Sequence, residues 1–231
     1  MPKGHTMLNF PFLLNLLNCA LKNGMPGNPF DNAKDFILDI VNEAIRYHLN
    51  APLHADSIDN FISNDFAYVY QMDIQGPCML PDTSIRLQIA LNPQEQTWHM
   101  HASFRPANGG HSSIFESVKD SSVSDAGTIR NIVWNTRHRA NTEYVKNNLK
   151  IGQMFTMNAD NLSKVEPLEH GDIIADQWLC TGPDRIVAEH LDELTVTDIK
   201  DNGDVFFSET NRQVHFSLSP DEVVAMLFGS C

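Results

Sequence analysis

Between positions 30 and 50 apolar residues recur every three or four positions: Phe36, Ile37, Ile40, Val41, Ala44, Ile45 and Leu49. That spacing draws one stripe along a 3.6-residue helix and predicts a helix over 32–49 with Asp31 as its cap. An earlier apolar run predicts a short helix over 11–23, stopped by Gly24, and Ser57 is placed to cap a third over 57–64. Past position 66 the period drops to two. Ile85, Leu87, Ile89 and Leu91 alternate with Arg86, Gln88 and Ala90, and Trp98, Met100, Ala102 and Phe104 alternate with His99, His101 and Ser103. Strands are predicted over 66–74, 84–91 and 97–105, forming an antiparallel meander with one buried face.

Residues 107–113 and 117–124 read as loops. A long helix is predicted over 125–150, with Ile129, Val133, Ala140, Tyr144 and Leu149 as its stripe, although the Asn and Thr residues from 135 to 148 favour caps and turns over helix interiors. The chain then turns to β again, with strands over 172–180, 186–199, 205–207 and 213–218. Asn202-Gly203 marks a hairpin between the second and third of these, and Ser219-Pro-Asp-Glu222 is a capping box that opens a last helix ending at Phe228. Helices and strands in runs, rather than in strict alternation, give the α+β class: N-terminal helices packed on an antiparallel β meander, followed by a β-rich C-terminal unit with a terminal helix. The expected division is 1–150 and 151–231.

Composition narrows the function classes. The 231 residues carry 16 Lys and Arg against 29 Asp and Glu, a formal net charge of −13. Such a chain repels phosphate backbones as a whole, which disfavours general nucleic-acid binding. Cys19, Cys78, Cys180 and Cys231 are far apart and form no CxxC pair, so neither a zinc ribbon nor a disulfide scaffold is expected. Asn9, Asn15 and Asn18 interrupt the first apolar run, no stretch reaches membrane-spanning length, and the expected setting is the cytoplasm. The chain has no GxGxxG, P-loop, GxSxG, HExxH or EF-hand pattern.

Three features carry candidate chemistry. On a strand, His99 and His101 face the same way, as a His-x-His metal pair requires, though a third ligand must come from elsewhere. Arg86, Arg105 and Asp73 fall on the same face, which would suit an anion if it were covered. No resident cofactor is expected beyond that one place for a divalent metal. The second feature is a basic island of Arg130, Arg137, Arg139, Lys146 and Lys150, opposed within its span by Glu143 alone. It points to docking on the protein's own acidic surface, a protein partner, or local nucleic-acid contact. The third is the acidic C-terminal region, with Glu189, Asp192, Glu193, Asp198, Asp201 and Asp204 around one hairpin. Together they favour a non-enzymatic acidic regulator acting through protein contacts, of the inhibitor or accessory type found with phages and mobile elements. A metal- or anion-binding protein using the His99/His101 face is the rival.

Overall fold

A computed structural model describes residues 8–9, 29–46, 53–63, 68–76, 79–92, 95, 97–110, 112–120, 123–124, 126–156, 178–180, 186–189, 193–209 and 214–228. The helix expected over 11–23 lies outside them. The chain divides into two compact units, the first drawn from Met1–Tyr47, Leu53–Gln75 and Thr83–Thr136, the second from His48–Pro52, Gly76–Asp82 and Arg137–Cys231. The division passes through a helix, between Thr136 and Arg137.

In the first unit, helix α1 (Pro29–Ile45) precedes a six-stranded antiparallel sheet of β2 (His54–Ala55), β3 (Asp59–Ile62), β4 (Tyr68–Gln75), β5 (Ser84–Asn92), β6 (Thr97–Arg105) and β7 (Phe115–Asp120). The order is β2-β4-β5-β6-β7, with β3 also paired to β4. A short ribbon joins β1 (Leu8–Asn9) to β8 (Val123–Ser124). The period-two pattern sets the sheet's inner face: Ile85, Leu87, Ile89, Met100 and Ala102 are fully buried. Burying each large aliphatic side chain contributes roughly 1.5–3 kcal/mol. Helix α1 buries Ala33, Ile37, Ile40, Val41, Ala44 and Ile45 and lies against β2 and β3. Its Asn42 clasps the β2 backbone, donating from Nδ2 to the Ala55 carbonyl at 3.0 Å and accepting from the Ala55 N–H at 2.8 Å.

Three local expectations are corrected here. Helix α1 starts at Pro29, so Asp31 lies inside its first turn; proline fits the first helical position because that N–H has no intrahelical partner anyway. The segment expected as a helix over 57–64 contains the strand β3, which pairs Asp59 with Gln71 and Phe61 with Val69. A helix so short has little drive of its own, and pairing satisfies the backbone edge of β4. The expected loop over 117–124 contains most of β7 and all of β8; β7 reads as polar because one face of an edge strand is wet.

Helix α2 (Ala126–Asn148) is unbroken. Three of its polar residues are matched: Thr136 Oγ1 donates to the Ile132 carbonyl at 2.7 Å, Asn148 Nδ2 donates to the Tyr144 carbonyl at 2.8 Å, and Asn141 donates to a carboxylate of the second unit. In the second unit a four-stranded antiparallel sheet runs β14-β13-β12-β9, from β9 (Met154–Thr156), β12 (Glu193–Ile199), β13 (Val205–Glu209) and β14 (Val214–Leu218). The strand β9 was not legible in the sequence, and the run expected as one strand over 186–199 contains two, β11 (Ile186–Glu189) and β12. The strands β10 (Trp178–Cys180) and β11 form a separate hairpin. Leu194, Val196, Val205, Phe207, Phe216 and Leu218 pack with Val145 and Leu149 and with Val223 and Met226 of helix α3 (Pro220–Phe228) into one core.

Two short motifs hold this unit's geometry. The capping box forms as the sequence predicts: the Ser219 N–H donates to Glu222 Oε2 at 2.6 Å, and the Glu222 N–H reaches Ser219 Oγ at 3.4 Å. The β12–β13 hairpin closes with the Gly203 N–H donating to the Lys200 carbonyl at 2.9 Å and the Lys200 N–H to the Asp204 carbonyl at 2.9 Å. Gly203 has φ +92° while Asn202 stays at negative φ, so the loop has three residues with glycine in the left-handed position, not a two-residue turn centred on Asn-Gly. A Cβ on Gly203 would stand 2.8 Å from Pro220 Cγ and 2.9 Å from Thr142 Cγ2. Gly203→Ala therefore strains φ and pushes apart the hairpin, α2 and α3. A loss of about 2 kcal/mol is expected, read as a lower urea midpoint at unchanged slope; an unchanged midpoint would contradict the close approach.

Candidate functional site

In the first unit the strand register builds an open sheet face. Phe61, Val69, Ala90, His99 and Lys119 form one row across β3, β4, β5, β6 and β7; Asp59, Gln71, Gln88, His101 and Ser117 form the next; Asp73, Arg86, Ser103 and Phe115 form a third. The residues expected to share a surface do so, and Arg105 joins them opposite Ser84. Two polar pairs on this face are matched across strands. Arg86 makes a two-pronged contact with Asp73, Nε to Oδ1 at 2.9 Å and Nη2 to Oδ2 at 2.8 Å, and Gln88 donates to Gln71 at 2.8 Å. The hydrogen bond to Asp73 holds Arg86 more firmly protonated. Lys119 pairs with Glu95 at 3.2 Å.

The two histidines differ in surroundings. His99 is exposed opposite Lys119, whereas His101 packs its ring against Phe115, centroids 5.4 Å apart. Partial burial, then the neighbouring His99, pushes the His101 pKa below the ordinary imidazole value. Glu116 stands opposite Ala102 and so lies on the other face. Among the described residues no group of three His, Cys, Asp or Glu side chains is placed to hold a metal. Phe61 and Phe115, 45% and 49% exposed, lie on the two edge strands of this face. Neither stood out in the sequence, because a single aromatic in a polar segment carries no periodicity.

The charge patches of the second unit are largely engaged within it. Arg137, expected in a basic island, is 2% exposed and turns inward to Asp221, its Nε 3.6 Å from Oδ1. The same carboxylate accepts from Asn141 Nδ2 at 2.6 Å and meets His138 Nδ1 at 3.0 Å. Lys146 donates to the Asp201 carbonyl. Arg139 and Lys150 are exposed; Arg130, in the first unit, is half-buried. On the acidic side Asp198 pairs with Lys200, and Asp204 braces the turn by accepting from Asn202 Nδ2 at 2.8 Å. Glu193 and Asp201 are exposed. Asp192 and the Glu189 side chain lie outside the described residues.

Asp221, its side chain 14% exposed, is a largely buried charge in a unit that also buries Arg137 and Glu209. Burial alone would raise its pKa; His138, Arg137 and Asn141 outweigh burial and lower it. The hydrogen bond to Asp221 in turn raises the pKa of His138. No protein-family model, curated protein or solved structure matches the chain. No helix among the described residues is long and apolar enough to cross a membrane.

Two outcomes follow from the carboxylate. Asp221→Ala removes a carboxylate beside the buried Arg137 guanidinium and is expected to destabilise the fold by about 3 kcal/mol, measured by urea unfolding. Because the folded pKa of His138 is raised, its stabilising contribution is complete below about pH 6.5 and fades as pH rises through the folded value. The lowered pKa of Asp221 works the other way, contributing above its unfolded value and failing as acid protonates it below that. The urea midpoint is therefore expected to fall between mildly acidic and mildly alkaline pH, and His138→Gln to flatten that slope; an unchanged slope in the variant would remove His138 from the explanation.

Proposed function

We propose that this protein is a non-enzymatic binding protein that acts through protein–protein contact, and that its contact surface is the open face of the six-stranded sheet. The supporting observation is the pair of exposed aromatics, Phe61 and Phe115, on the two edge strands of a face where Arg86–Asp73 and Gln88–Gln71 are matched across strands. Matched polar groups lower the desolvation cost of covering a surface, and exposed aromatics at its margins supply the anchors that dominate binding energy. Four strand spacings make the face roughly 19 Å wide, and eight or nine residues make it roughly 28 Å long. That is roughly 500 Å² in projection, the scale of one side of a standard interface. Arg86, Arg105, Lys119 and Asp73 on the face give the contact a polar, salt-sensitive component. The regulatory character inferred from composition rests on this surface rather than on the basic island, whose Arg137 and Lys146 are occupied internally.

The test is affinity capture from source-cell extract with the tagged full-length chain. A partner retained at low salt, weakened at high salt and lost with Phe61→Ser/Phe115→Ser is expected, while Glu193→Gln/Asp201→Asn leaves capture intact. Failure to recover any partner at low salt sinks the binding reading, and loss with the acidic-patch variant alone moves the surface to the second unit.

A further inference from the structure

The β12–β13 hairpin holds a reactive dipeptide in a particular state. In any Asn-Gly sequence the glycine nitrogen, once solvent hydroxide removes its proton, can attack the asparagine Cγ. The Cγ–Nδ2 bond breaks, ammonia leaves and a succinimide ring forms. Water then opens the ring at one carbonyl to give aspartate or at the other to give isoaspartate, whose main chain is one carbon longer. Glycine offers no side chain to block the approach, and Asn202 is exposed.

The folded turn acts on this chemistry at three atoms. The Asp204 N–H donates to Asn202 Oδ1 at 3.2 Å, which polarises the carbonyl that would be attacked. Against this, the Gly203 N–H donates to the Lys200 carbonyl at 2.9 Å, so the nucleophilic nitrogen cannot lose its proton without breaking the hydrogen bond that closes the turn. Asn202 Nδ2, the leaving group, is held by Asp204 Oδ2 at 2.8 Å. Reaction therefore requires the turn to open, and the opening equilibrium sets the rate. The product does not fit the place it came from. Gly203 sits where even a Cβ would be 2.8 Å from Pro220 and 2.9 Å from Thr142, and an added main-chain carbon shifts Gly203 against both. The new carboxylate also lies between Asp201 and Asp204.

We propose that Asn202 is a conformation-gated deamidation site: the closed hairpin protects it, and opening commits residues 200–204 to an isoaspartate that no longer docks on Thr142 and Pro220. The inference is independent of any partner on the sheet face. The experiment incubates the full-length chain at mildly alkaline pH, folded and in denaturant, and follows the 202–203 bond by peptide mass mapping with enzymatic isoaspartate labelling. Formation is expected to be slower in the folded chain by about tenfold or more. After refolding, chains carrying isoaspartate at 202 are expected to melt at a lower temperature than Asn202→Asp, which adds the charge but leaves the main chain unaltered. Equal rates in the folded and unfolded chain would overturn the gating. An isoaspartate chain that melts with Asn202→Asp would overturn the loss of docking.

Discussion

A largely buried carboxylate in the first turn of a helix must be matched, and in the second unit the matching of Asp221 sets where three elements lie. Asp221 falls in the first turn of α3, where the helix dipole favours negative charge. Its partners Arg137, His138 and Asn141 all come from α2. The residue before it, Pro220, closes over Gly203, and Thr142 of α2 closes over the same glycine. One turn of α3, one stretch of α2 and one hairpin tip are thus mutually positioned by an ion pair and a close backbone approach. The apolar core of Val145, Phe207, Leu218 and Val223 supplies the larger share of the stability, but apolar packing is non-directional. The carboxylate supplies direction, because few arrangements bring Arg137, His138 and Asn141 to it at once.

The sheet of the first unit was legible for a physical reason. Strands β5 and β6 bury one face completely, so alternation in the sequence is strict from Ile85 to Leu91 and from Trp98 to Phe104. The capping box at Ser219 was legible because its chemistry is local, closing within four residues. The strands β3 and β7 were not, since both sit at sheet edges where only one neighbour and one face constrain the residue types. The node at Asp221 was invisible for a different reason. Its members are about 80 residues apart in the chain, and Arg137 looks in sequence like any other member of a basic stretch. The presence of Thr136 and Asn141 in α2 argued against an unbroken helix. Both are in fact buried and bonded, Thr136 to a carbonyl of its own helix and Asn141 to Asp221, and propensity describes a residue without its tertiary context.

The same distinction separates the candidate surfaces. A charge patch counted along a sequence assumes that each side chain is presented to solvent. In this chain Arg137 is consumed by Asp221, Lys146 by the hairpin carbonyl, and Asp198 by Lys200. Arg139, Lys150, Glu193 and Asp201 are exposed, and Arg130 is half-buried. A long-range field still follows from the net charge of −13, since pairing moves charges together without removing the excess. The long-range field and the local pairing of charges are therefore separable properties of this molecule.

The sheet face presents the opposite case. Four of its polar residues are paired across strands, Arg86 with Asp73 and Gln88 with Gln71, so the face is polar in composition but has fewer unmet hydrogen-bonding groups than its sequence suggests. Water gains little by contacting groups that already satisfy each other, and a partner loses little by displacing that water. Phe61 and Phe115 add apolar area at the two edges, where a covering surface would meet it first and last. An alternating strand read only for its buried half leaves the other half as background. Here the wet half contains both the ordered polar pairs and the exposed aromatics, and that combination is what the proposed contact rests on.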